Sequence, residues 1–179
     1  METDMTISNN ALSAFNSNMA AAPADTSGGY NSWFPEQGDH DCTIEGVFMT
    51  ECTGKEWIDG TPSEYDGTLI KFNFRLIDDP GSPDAPRAFD GAPFILPVNG
   101  PDALQTEKGQ NNLTRTLGRL KGHLTTVLGM DDIPDLGAAI AAVEESIQTE
   151  PIAVKVKTST YNAPNGKSYN TEYISSRLG

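Results

Sequence analysis

The side chains with the most chemical reach in this chain are cations and flat rings, and they recur at alternating positions. Lys71, Asn73 and Arg75 share one side of an extended segment, Lys155 and Lys157 share one side of another, and Lys167 follows an Asn165-Gly166 turn. Tyr161, Tyr169 and Tyr173 accompany them, and Trp57 joins from a polar stretch. Such interleaving matches the needs of single-stranded nucleic acid. Cations neutralise phosphates, and rings stack bases at about 1–3 kcal/mol each. Bases in a duplex have their faces covered, so stacking favours single strands. A second basic run, Lys108, Arg115, Arg119 and Lys121, contains no acid. It either extends that path or keeps a helix soluble. The structural alternative is that strand lysines guard edges against aggregation and tyrosines pack a barrel surface.

No catalytic set accompanies these groups. Of the two histidines, His40 lies in a polar turn between Asp39 and Asp41, and His123 precedes Leu124 on a helix, expected at the margin of its apolar stripe or in water. A metal at His40 and Cys42 would need more ligands than the neighbourhood supplies. Asp78-Asp79 and Asp131-Asp132 read as turn formers and helix caps. No glycine cluster leads into the Lys-Ser or Lys-Thr of a phosphate loop. The chain is therefore read as non-enzymatic, with no catalytic residue, metal ligand or cofactor.

The summed charge opposes a polyanion partner. Lys and Arg total 12 against 25 Asp and Glu, a formal charge of −13, and such a field repels phosphates. Many acids fall in the N-terminal segment and loops, away from the cations. The two cysteines, Cys42 and Cys52, would stand roughly 33 Å apart on one straight strand, too far for a disulfide. Reduced, partly buried thiols in a cytoplasm are expected. The N-terminus lacks the basic start and apolar run of a signal peptide, and no segment approaches the ~20 apolar residues of a membrane helix.

The elements that must position these groups follow from periodicity. Residues 1–32, rich in Asn, Ser, Ala and Gly, are expected to form a flexible tail, with Ala11 to Ala22 as a weak helix on a partner at most. Trp33-Phe34-Pro35 marks the edge of a single domain over 33–179, its rings capping the core. Cys42 to Thr50 reads as strand one, with Gly46 at a bulge or bend. Gly54 to Thr68 reads as a long loop whose Trp57 and Tyr65 either pack down or are held out for a ligand. Leu69 to Ile77 is a half-buried strand with Ile70, Phe72, Phe74 and Leu76 inward. Arg87 to Leu96 holds a third strand, irregular at Gly91 and Pro93. A helical insert of about 104–149 follows. Leu113, Leu117, Leu120, Leu124 and Val127 stripe its first helix, which stops at Gly129. Asp135 begins the second, which ends before Pro151. Ile152, Val154 and Val156 face inward on a strand that returns through Asn165-Gly166 into Lys167 to Ile174. The order β-β-β-α-α-β-β predicts a mainly β fold with a helical insert, a five-stranded barrel of the OB type. An open α+β sheet with helices on one face is the rival.

The run Phe34-Pro35-Glu36-Gln37-Gly38-Asp39-His40-Asp41-Cys42-Thr43-Ile44-Glu45-Gly46-Val47 resembles the opening of a family of small bacteriophage OB-fold single-stranded-DNA-binding proteins. The alternating second strand, Gly118-Arg119-Leu120-Lys121 and Asn165-Gly166-Lys167-Ser168-Tyr169 are similar too, over roughly Trp33 to Ile174. The resemblance implies sequence-tolerant coating of single-stranded DNA in phage replication or recombination, in the cytoplasm of an infected cell. Phage or host replication proteins and a second copy of the chain are the further partners it allows; no membrane is implied. One departure is the ending Ser175-Ser176-Arg177-Leu178-Gly179, which lacks the acidic tail by which bacterial single-strand binders recruit partners. The competing expectation is a phage structural or assembly protein that binds no nucleic acid.

Overall fold

A computed structural model describes residues Trp33–Gly179; the expected N-terminal tail and its weak helix lie outside the described residues. The chain runs β1 (Gly38–Ile58), β2 (Thr61–Leu76), β3 (Ala88–Asp90), β4 (Phe94–Pro97), a 3-10 turn (Gly100–Ala103), α1 (Glu107–Leu128), α2 (Leu136–Thr149), β5 (Ile152–Asn162) and β6 (Ser168–Arg177). All strand pairs are antiparallel, in the order β3-β2-β1-β5-β6, with β4 also on β2. The architecture is an open six-stranded sheet with two helices. Neither β3 nor β4 pairs with β6, so the expected closed five-stranded barrel is replaced by a sheet with two edges. The predicted third strand is two short ones, because Pro93 has no amide hydrogen to donate and interrupts the ladder.

Two further corrections concern β1 and β2. The expected loop from Gly54 to Thr68 is a continuous ribbon, paired residue by residue from Thr50↔Leu69 to Ile58↔Thr61. Asp59 (φ 50°) and Gly60 (φ 78°) both adopt positive φ. That is the type I′ geometry whose twist matches two antiparallel strands, and Asp-Gly is one of its favoured sequences. Thr53 to Asp66 therefore form an arm. Register shifts between Ile44 and Gly46, so the bulge expected at Gly46 is present, with Glu45 as the extra residue.

Alternation on the strands builds the core. Cys42, Ile44, Phe72, Phe74, Val154, Val156 and Ile174 are buried together with Leu120, Leu124 and Val127 of α1 and Ala139, Ile140 and Val143 of α2. Leu117, expected in the α1 stripe, is 41% exposed. Thr106 caps α1 by accepting from the Gly109 N–H, and Gly129 (φ 66°) closes it in the left-handed conformation. Asp135 accepts from the Ala138 N–H at the start of α2. Trp33 and Phe34 pack edge-on against Phe89, as expected of a cap. Arg87 stacks over Trp33 and is held by the buried Asp79, whose carboxyl the guanidinium keeps well below the usual carboxylate range. Among the described residues no helix is long and apolar enough to cross a membrane.

The gap between the sheet's edges is bridged by side chains. Glu172 of β6 is buried, and its Oε2 accepts the Ala92 N–H at 2.6 Å. Its Oε1 lies 3.4 Å from His123 Nε2. His123 was expected at a helix margin or in water. It is fully buried between Phe72 and Phe94, because a partner carboxylate and two rings replace water there. Its Nδ1 has no partner among the described residues, so Nε2 is the ring nitrogen that meets the Glu172 carboxylate. Ala92 in turn accepts from Arg119, whose guanidinium stacks on Phe94, and Gly91 N–H donates to Phe72. A Cβ on Gly91 would stand 2.7 Å from Glu172 Oε1. Glu172→Ala strands two buried donors and is expected to cost on the order of 3 kcal/mol; Gly91→Ala pushes the carboxylate off its donors and also lowers stability. Denaturant unfolding checks both, and unchanged midpoints would remove the bridge from the account.

Candidate nucleic-acid interface

The outward positions of β5 and β6 form a ladder. Lys157 stands opposite Tyr173, Ser159 opposite Thr171, and Tyr161 opposite Tyr169. Directly opposed residues hold their Cβ atoms about 4.5–5.5 Å apart, so the rungs are continuous. The Ser159 and Thr171 hydroxyls meet at 2.8 Å in the middle rung. Tyr161, Tyr169 and Tyr173 are 60%, 49% and 55% exposed. Lys167 lies in the turn, where its N–H bonds Asn165 Oδ1. Neither Lys157 nor Lys167 has an ion-pair partner among the described residues. Six of the sequence-nominated residues thus fall on one hairpin, and five of them, all but Lys155, lie on this ladder and its turn.

The others stand apart from that ladder. Lys71 pairs with Asp90 at 2.9 Å, and Asn73 donates to the same carboxylate at 2.7 Å. Arg75 pairs with Glu45 and donates to the Pro86 carbonyl at 2.6 Å. Lys155 pairs with Asp41 at 2.9 Å, which raises its ammonium above the usual value. Strand β1 runs between β2 and β5 and turns Asp39, Asp41 and Glu45 outward, so an acidic strand separates two basic ones. Asp39 lies opposite Lys157 without forming an ion pair. Trp57, 65% exposed, sits near the arm's tip opposite Pro62. It borders a cleft of about 250 Å³ between the arm and the start of α1. On α1, Arg119 is committed to Ala92 and Phe94, and Lys121 pairs with Asp132.

Sequence reasoning missed the partners that neutralise Lys71, Arg75 and Lys155, because cross-strand register decides them. It also missed Glu172, whose signal was available. Tyr169, Thr171 and Tyr173 on one side place Glu172 with Ile174 on the core side. Burial, with Asp41 beside it, pushes the Cys42 thiol up to about 12, so it stays protonated near neutrality. Both cysteines are free. His40 donates to the Glu36 carbonyl at 2.7 Å. Comparison with family models, curated proteins and solved structures finds no match.

The ion pairs have a measurable consequence. Amine acylation followed by mass spectrometry should label Lys157 and Lys167 faster than Lys71 and Lys155. Equal labelling would mean that the pairs of Lys71 and Lys155 do not persist in solution.

Proposed function

We propose that the chain is a non-enzymatic single-stranded-DNA-binding protein that works through the β5–β6 hairpin, in the cytoplasm of a phage-infected cell. One observation carries this reading: three exposed tyrosines and two unpaired lysines lie along one hairpin face, with two of the rings directly opposed. Rings supply sequence-tolerant stacking, and Lys157 and Lys167 supply phosphate contacts. The topology supports an OB-type description. A long bulged β1 pairs with both β2 and β5, the helices fall between the early strands and the closing hairpin, and Glu172 spans the remaining gap. The likeness in layout to phage single-strand binders points the same way. Lys71, Asn73, Arg75 and Lys155 enter this reading as reserve contacts, since a phosphate would have to displace Asp90, Glu45 or Asp41.

A second reading, a phage structural or assembly component, is favoured by the −13 charge and by the acidic strand across the sheet's centre. It predicts incorporation into particles and no affinity for nucleic acid.

Titration with a labelled oligothymidine at two salt concentrations separates the readings. Binding should weaken steeply with salt through counterion release, and Lys157→Ala with Lys167→Ala should flatten the log–log slope by about 1.4, two contacts at ~0.7 each. Tyr161→Ala, Tyr169→Ala and Tyr173→Ala should each weaken binding by about 1–3 kcal/mol. No binding at low salt, or equal binding of a duplex, contradicts the proposal.

A further inference from the structure

We infer that the cleft between the β1–β2 arm and the first turns of α1 is a second nucleotide site, holding one base and its phosphates from a single strand. The inference rests on the single-strand reading above and adds a place for the strand away from the hairpin. Trp57 and Tyr65 present rings to this cleft from the arm, and Lys55 and Lys108 line it from either side. Neither lysine has an ion-pair partner among the described residues. At about 250 Å³ the space is below the ~300–1,000 Å³ of pockets for drug-sized molecules. It suits one planar base and excludes a duplex.

The walls are chemically divided. Asn112 and Thr116, one turn apart on α1, line the cleft with Ile95 and Leu113; the Asn112 amide is offered to the edge of a base, and the Thr116 hydroxyl, which donates to the Asn112 carbonyl at 2.9 Å, is left to accept. The carboxylate lining the cleft, Glu56, is already engaged. It accepts the Gln105 N–H at 2.9 Å, the Thr106 N–H at 2.8 Å and the Thr106 hydroxyl. Those donors hold its carboxyl below the usual value. Glu56 thereby offsets the positive end of α1, so attraction for a phosphate comes from Lys55 and Lys108. Glu64 opposes Lys55 in the ribbon, and Glu107 precedes Lys108, yet neither forms an ion pair with them. Trp57 is the most exposed of the large hydrophobic side chains among the described residues, so a stacked base gains contact there without displacing packing.

The test uses the full chain carrying Trp33→Phe, which leaves Trp57 as the reporter of the two tryptophans. A labelled oligothymidine reports total binding by anisotropy while Trp57 emission reports the cleft. Binding should quench Trp57. Lys55→Ala with Lys108→Ala should abolish the quench, lower affinity about tenfold and flatten the salt slope by about 1.4. Lys55→Arg with Lys108→Arg should restore all three. Both lysines are exposed, so an unchanged melting curve is expected for the variants. Oligonucleotide binding with unaltered Trp57 emission, or with affinity indifferent to the double alanine change, overturns the cleft and leaves the hairpin reading standing. No anisotropy change at low salt removes both.

Discussion

A carboxylate held in the interior organises this fold. Glu172 takes the Ala92 amide and faces His123, and together they tie the last strand, the first helix and the broken edge strand into one cluster. Removing a carboxylate from water is expensive unless donors replace the lost hydration. Here the Ala92 N–H approaches closely enough to do so, because the adjoining Gly91 has no side chain. The consequence reaches the outer surface. Glu172 points inward and Tyr173 outward from adjacent positions of β6, so locking one fixes the direction of the other.

The proposed phosphate contacts of an acidic protein rely on that coupling. Charge is sorted by strand. On β2 and the near end of β5 the cations are answered by Asp90, Glu45 and Asp41, and their fields largely cancel. Beyond Thr158 the hairpin extends past β1, whose pairing with β5 runs only from Gly38↔Thr158 to Ile44↔Ile152. The acidic strand therefore overlaps only the first rung of the tyrosine ladder, where Asp39 lies opposite Lys157. Within about 8–10 Å, the screening length at ordinary salt, local lysines outweigh the net charge. In the arm, Glu56 is turned into the start of α1, and Lys55 has no ion-pair partner among the described residues.

Much of this was legible in the sequence. Alternation on Leu69 to Leu76 and on Ile152 to Val156 marked buried strands, since a two-residue period has one explanation when large apolar residues occupy it. Gly129, Asp135 and Pro151 marked helix limits through local hydrogen bonding and allowed dihedrals, whereas the Thr106 cap of α1 went unread. The arm was not legible from its polar composition, because its pairing partner, not its hydrophobicity, makes it a strand; only Asp59-Gly60 announced the turn. The ion pairs were hidden for a related reason. Lys71 and Asp90 are 19 positions apart and meet only through the β2–β3 register. His123 was misplaced because a single helix shows where a side chain points but not that Glu172, 49 residues later, waits there.

Hydrogen–deuterium exchange of the full chain, with and without oligothymidine, probes the central claim most directly. The account predicts added protection in Ser159 to Tyr173 and no change across α2, Leu136 to Thr149. Protection confined to α2 or to the β2–β3 edge, or none anywhere, would contradict it.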